Sequence, residues 1–341
     1  NLTIDEKVDQ IVASMSQTEK LGQMVMIGIQ GTKVDDDSLY MLNQYHMGGV
    51  ILFDRNMESP EQVKQLTSDL QVQSNEKVPL FIGIDEEGGD VVRMAEKLTP
   101  PPSQKEIGAT GDIEQAKTWA IKTAKSLKEM GINVNFAPVA DVGSNDKRSY
   151  STDTNTVIDF VRAATKGYQQ ENIIYSLKHF PGIGKGKVDS HIDSSSIDVA
   201  KEVLMTEDIL PFKTIIDENE PNDYFILVSH LKYPALDEEY PASLSSKIMT
   251  DLLRNKLGYK GIIITDDMEM GAVANHNDFR SIGVNAVKAG ADIVLVCHEY
   301  EHQQEVYLGL LDAVNSGEIS QERIDESVKR IIKVKLLHLY Q

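Results

Sequence analysis

A single (β/α)8 barrel of the TIM type is the fold class this α/β sequence predicts, and three observations predict it. Short β-rich apolar runs alternate with longer stretches of helical period along the whole chain. The runs number eight, the strand count of that barrel. Charged and polar residues recur where these runs end, which is where a barrel assembles its site.

The expected strands are residues 23–29, 49–53, 80–84, 134–138, 173–177, 225–228, 261–264 and 292–296. Between them, residues 61–73, 113–130, 156–170 and 245–257 read as amphipathic helices, and Ser16-Gln17-Thr18-Glu19 has the pattern of a capping box. Residues 320–340 place Ile324, Val328, Ile331, Ile332 and Leu336 along one helical stripe, a closing helix. No Pro/Ser/Gly-rich linker, low-complexity tract or short repeat interrupts the alternation, so residues 1–341 are expected to form one domain.

Composition narrows the function. A chain of 341 residues with 41% hydrophobic content can bury a large core. Its formal net charge of -19 and its lack of a long Lys/Arg cluster exclude a nucleic-acid partner. The one cysteine, Cys297, rules out an internal disulfide and reads as a small buried hydrophobe after the apolar run 292–296. No apolar run approaches the roughly 18 to 20 residues needed to span a membrane.

The strand ends carry the chemistry. The third ends in Asp85-Glu86-Glu87-Gly88-Gly89 with Arg93 beyond, the fourth in Asp141 with Arg148 on the next loop, and the fifth in Lys178-His179, stopped by Pro181-Gly182. The sixth ends in Ser229-His230 and the seventh in Asp266-Asp267. One such residue alone is equally well a helix cap or a satisfied hydrogen-bonding group. Ionisable groups are costly to bury, and their recurrence at strand after strand is better explained by a shared site.

The ordered set of 48-GGVILF-53, 84-IDEEGG-89, 135-NFAPVAD-141, 178-KHFPG-182 with Asp189-Ser190-His191, 241-PASLS-245 and 265-TDDM-268 resembles glycoside hydrolase family 3. Within it the chain is similar to the bacterial β-N-acetylglucosaminidase (β-hexosaminidase) branch, from about Met15 to the closing helix, where 323-RIDES-327 also matches.

The resemblance implies a retaining exo-enzyme that releases terminal N-acetylglucosamine by double displacement, acting on peptidoglycan or muropeptide fragments. Asp266 would be the nucleophile. A carboxylate can attack an anomeric carbon, and since neighbours on an extended segment face opposite ways, Asp267 would face away. The acid/base would be His191, oriented by Asp189. Histidine titrates near neutrality, and a carboxylate partner favours its protonated form. The Gly- and Lys-rich segment 182–187 is expected to let that loop swing over the sugar. The resemblance assigns Asp85, Arg93, Arg148, Lys178, His179 and His230 to substrate binding, with His230 alternatively a satisfied core residue. The partner is a carbohydrate, and no metal or cofactor is expected.

The chain departs from the family pattern at three places. Ile183 stands where histidine is usual, Asp90 where arginine is usual, and Glu86 where an amide or imidazole is usual. Ile183 bears on loop closure, Asp90 on the third-strand loop, and Glu86 adds negative charge beside Asp85.

Alternative readings are a family 3 β-glucosidase, a glycoside phosphorylase, or an inactive carbohydrate-binding envelope protein. The internal Asp189/His191 pair and Asp266 favour the self-sufficient hydrolase. A metal-dependent hydrolase built on Lys178, His230 and Asp266 would be short of ligands, and His298 and His302, though at helical spacing, sit in an acidic, solvated context. The start at Asn1, without an initiator Met, reads as a trimmed terminus. With the acidic composition it favours an extracytoplasmic, secreted or lipid-anchored location, the cytoplasm being the alternative.

Overall fold

The computed structural model describes residues 1–74, 78–94, 98–143, 147–186, 196–275 and 277–340. Eight parallel strands run in chain order: β1 (Val25–Gly28), β2 (Gly49–Leu52), β3 (Phe81–Ile84), β4 (Val134–Asn135), β5 (Tyr175–Phe180), β6 (Tyr224–Val228), β7 (Ile262–Thr265) and β8 (Val294–Val296). Ladders join β4-β3-β2-β1-β8 and β5-β6-β7. The parallel bridges Val134↔Ile174 and Ile264↔Ile293 close the two gaps, so the circuit is the expected (β/α)8 barrel.

Both faces of these strands are covered, and every strand residue is buried. That is why the strands read as continuous apolar runs rather than alternating ones. Inside the barrel the ring of Phe225 packs against Phe81 at 5.1 Å and Phe136 at 6.4 Å.

The outer helices start where their caps dictate. Ser16 and Glu19 form the expected capping box, Ser59 caps the helix Pro60–Gln73, and Ser320 caps Gln321–His338. The segment 245–257 differs from expectation: Lys247–Lys256 is wound as a π-helix, one residue wider per bond than an α-helix.

The helix Gln321–His338 reaches back to the amino-terminal ends of the strands. Its buried Lys335 donates from Nζ to Gln23 Oε1 (2.7 Å) and the Gly48 carbonyl (2.8 Å), over the Phe81 ring. At the same end Asp292 takes Arg254 (2.8 Å), Arg330 (2.9 Å) and the Ser327 hydroxyl (2.6 Å). Burial alone would raise the Asp292 carboxyl, but the three arginines around it hold it below its ordinary value. These ion pairs bind the last helix under the barrel, away from the face that carries the site.

Two strand ends differ from expectation. β4 stops at Asn135 rather than at residue 138, although Val139 still bridges Lys178. β5 runs to Phe180, so Lys178 and His179 lie within the strand instead of just past it. The β5–β6 register shifts between Leu177 and Phe180. This irregularity brings two consecutive residues to one face, which a regular strand forbids.

Candidate active site

The carboxyl ends of the strands surround a cavity of about 440 Å³ whose lining includes Asp85, Glu87, Arg93, Arg148, Lys178, His179, Asp266 and Asp267. Phe53, Phe136, Met270 and His298 supply its less polar walls.

Asp85 and Glu87 sit on the loop after β3, which turns back on itself at Gly88 and Gly89. Their φ values are 117° and 59°, and a Cβ on Gly88 would lie 2.3 Å from the Pro102 carbonyl oxygen. The turn places Glu87 against two cations from other strands. Lys178 Nζ meets Glu87 Oε2 at 2.6 Å and Asp85 Oδ1 at 3.0 Å. Arg148 grips Glu87 with both arms of its guanidinium, at 3.0 and 2.8 Å. Burial would raise Glu87, yet Lys178 and Arg148 pull its carboxyl far below the ordinary range. Burial would likewise discharge Lys178, but Glu87 and Asp85 raise it above its usual value. The cluster stays charged because each ion has a partner.

His179 is oriented by Asp141. Asp141 Oδ2 accepts from Nδ1 at 2.9 Å, and Oδ1 accepts from the backbone amides of His179 and Ile183, both at 3.0 Å. Arg148 Nη2 stands 3.2 Å from Nε2. A carboxylate only accepts and a guanidinium only donates, so the ring carries its proton on Nδ1. Arg93 pairs with Asp85 Oδ2 at 3.6 Å and lies over the Phe53 ring, and its buried Nε has no hydrogen-bond partner among the described residues.

The two aspartates after β7 both line the cavity, contrary to the expectation that only one would. The strand ends at Thr265, and past it the chain no longer alternates. Their environments separate them. Burial would raise Asp266, but the nearby His179 and His230, the Asp267 amide (2.9 Å to Oδ1) and Lys178 hold its carboxyl below the ordinary range. Asp267 is pushed up to about 7, first by burial and then by Glu269. Asp266 is therefore the ionised one at neutral pH.

His230 is 1% exposed and does not line the cavity. Its Nε2 donates to the Asp267 carbonyl at 2.7 Å, and Nδ1 lies 2.6 Å from Ser243 Oγ. The structure thus places it behind the cavity wall rather than on it, as the alternative of a satisfied core residue has it, where it holds the carbonyl of Asp267, the residue whose amide meets Asp266. Of the residues expected at the site, Asp85, Arg93, Arg148, Lys178, His179 and Asp266 come together. Asp189 and His191 lie outside the described residues.

Sequence reasoning named Glu87 and Asp141 among the strand-end groups but gave neither a role in the site. The signal for both was present: an acid run at the end of β3 and a lone Asp after β4 need cations or donors, and Lys178, Arg148 and His179 were already named. His298 and His302 do not converge. His302 Nδ1 lies 2.6 Å from Glu269, whereas His298 Nδ1 lies 2.7 Å from Arg55.

An α/β barrel whose strand ends hold an ionised aspartate among fixed cations and carboxylates is an arrangement the barrel glycosidases use. Residues 16–334 match the family described as glycosyl hydrolase family 3 N terminal domain, and the chain belongs to that family.

It is 35% identical over 326 residues to beta-hexosaminidase A of Pseudoalteromonas piscicida, covering 86% of this chain and 54% of that protein. It is 30% identical over 318 residues to the beta-hexosaminidase of Nitrosomonas eutropha, covering 89% and 90%. Among solved structures it is similar to a glycoside hydrolase family 3 beta-N-acetylglucosaminidase from a Paenibacillus species, with TM-score 0.93 and 37% identity over 96% of this chain and 63% of that one. The chain thus spans little more than half the length of some relatives and nearly all of others.

Proposed function

We propose that this chain is a retaining exo-β-N-acetylglucosaminidase acting on N-acetylglucosamine-terminated fragments of peptidoglycan, and that the barrel alone carries its catalytic groups. The observation that carries the reading is the separation of the two aspartates lining the cavity: the Asp266 carboxyl is held below its ordinary range and is ionised, while burial and Glu269 raise Asp267 to about 7. The beta-hexosaminidase names of similar proteins support it.

Lys178, Arg148, Asp85, Arg93 and His179 hold the hydroxyls of the non-reducing-end sugar. Salt-bridged groups of this kind cost little to desolvate further and are held in place before the sugar arrives. Asp266 attacks the anomeric carbon as the leaving oxygen departs, giving a glycosyl-aspartate and an oxocarbenium-like transition state. His191, with Asp189, protonates that oxygen and then takes a proton from the incoming water. An extracytoplasmic site of action is part of the same proposal, with the cytoplasm as the alternative, and cell fractionation decides between them.

The test is turnover of the 4-nitrophenyl N-acetyl-β-glucosaminide beside the β-glucoside, with and without chelator and with and without phosphate. The expected result is selective hydrolysis of the first, indifferent to both additions, with the product released as the β-anomer. Preference for the glucoside, or glycosyl phosphate as product, would overturn it. His191→Ala should hurt poor leaving groups far more than the activated aryl glycoside, and equal loss on both would exclude the acid role.

A further inference from the structure

We propose that His298, on the loop after β8, is a substrate-contacting specificity residue: a fixed, neutral N–H donor aimed at a neutral oxygen of the bound sugar. The inference rests on the sugar-binding role proposed for this cavity and adds a contact on the wall opposite Lys178 and Arg148.

Four observations carry it. First, His298 lines the cavity with its side chain 45% exposed, whereas Asp267 and Glu269 beside it are 14% and 8% exposed. Second, the residue is clamped. Its ring packs on Phe53 at 5.0 Å, its backbone amide donates to Glu269 Oε1 at 2.6 Å, and Arg55 Nη1 stands 2.7 Å from Nδ1.

Third, the clamp decides the tautomer. The guanidinium can only donate, so Nδ1 accepts and the ring proton sits on Nε2. Arg55 also donates to the carbonyls of Ile29 (2.9 Å) and Cys297 (2.6 Å), which makes it a support rather than a ligand group. Burial and the adjacent Arg55 lower the affinity of the imidazole for a second proton, consistent with a neutral ring. Fourth, the protein acceptor facing Nε2 is Asp267 Oδ2 at 3.8 Å, beyond hydrogen-bonding distance. The donor is therefore built, held and left without an acceptor among the described residues.

The ligand's chemistry follows from the surroundings. Glu269 and Glu299 act on the ring together with Arg55 and Arg93, and Asp267 Oδ2 lies 3.8 Å from Nε2, so the donor sits in no unbalanced positive field that would call for an anion. A hydroxyl or an amide carbonyl is accepted. An N-acetylglucosamine unit offers such oxygens, among them the acetamido carbonyl and the 6-hydroxyl, and the experiment distinguishes these two.

The experiment measures calorimetric binding of N-acetylglucosamine, glucose and 6-deoxy-N-acetylglucosamine to wild type, His298→Phe and His298→Gln, with kcat/KM on the matching 4-nitrophenyl β-glycosides. Phenylalanine keeps the packing on Phe53 and removes the donor; glutamine returns an N–H near the Nε2 position. Loss of one neutral hydrogen bond predicts a roughly two- to tenfold weaker binding by the Phe variant, with recovery in the Gln variant. The penalty should vanish on whichever ligand lacks the partner oxygen, glucose for the acetamido carbonyl and the 6-deoxy sugar for the hydroxyl.

An equal penalty on all three ligands, no penalty, or no recovery with glutamine in a variant that melts like wild type would overturn the proposal. Binding without turnover by wild type would refute the hydrolase reading and leave this contact measurable. No binding of any of the sugars by folded wild type would refute both.

Discussion

Replacing Glu86 by glutamine should stabilise this protein, by an amount that depends on pH. Glu86 is 3% exposed under the loop after β3, where its Oε1 accepts the Arg93 amide at 2.6 Å and its backbone is bracketed by Asn135. Burial pushes its carboxyl from 4.5 up to about 7, and the Arg93 amide and guanidinium only partly offset this. Between those two values the unfolded chain has lost the proton while the folded chain keeps it, so stability falls as pH rises through the window.

At 1.36 kcal/mol per pH unit the loss reaches about 3 kcal/mol by pH 8. Glutamine keeps the acceptor for the Arg93 amide and carries no charge. Urea unfolding of wild type and Glu86→Gln should therefore coincide near pH 4.5 and separate by about 3 kcal/mol near pH 8. A difference that stays constant across this range, or a variant less stable at pH 8, would refute the account of Glu86 as a carboxyl buried without a full counter-charge. The expected separation would instead show that Glu86, half protonated at neutral pH, adds less negative charge beside Asp85 than a free carboxylate would.

The other charged groups give further expectations. Glu87→Ala leaves the buried Lys178 and the partly exposed Arg148 without their shared partner, so stability should drop by roughly 3–5 kcal/mol and KM should rise steeply, read by melting and steady-state kinetics. Asp141→Asn can donate to His179 Nδ1 and favour the other tautomer, lowering kcat/KM by roughly tenfold to a hundredfold with little change in melting temperature. Asp292→Ala should destabilise by a similar 3–5 kcal/mol while leaving the kinetic constants of the folded enzyme unchanged, since its three arginines lie at the opposite end of the barrel.

The parts of this molecule written in the sequence are those with a local cause. The eight apolar runs mark β1 to β8 because both faces of each strand are buried, and Ser16 and Ser320 announce their helices through bonds three residues away. Lys178 and His179 were visible as costly residues in an apolar run. The bulge that brings them side by side depends on pairing with β6, almost fifty residues further on, and has no local mark.

The roles of Glu87 and Asp141 were hidden for the same reason. Their partners come from other strands, so an acid run reads as surface until the barrel folds it against cations. Asp266 was named from a motif, and the physical ground for preferring it to Asp267 emerged only with the loops after β7 and β8. There Cys297 and Glu269 amides meet Asp267 Oδ1, each at 3.1 Å, and the Glu269 carboxylate raises its proton affinity.

The role of Asp266 is the centre of this account, and azide rescue of Asp266→Ala tests it most directly. The variant should have lost nearly all turnover of the 4-nitrophenyl N-acetyl-β-glucosaminide, and added azide should restore release of 4-nitrophenol with the α-glycosyl azide as product. Unimpaired hydrolysis by Asp266→Ala, or rescue by azide in Asp267→Ala instead, would contradict it.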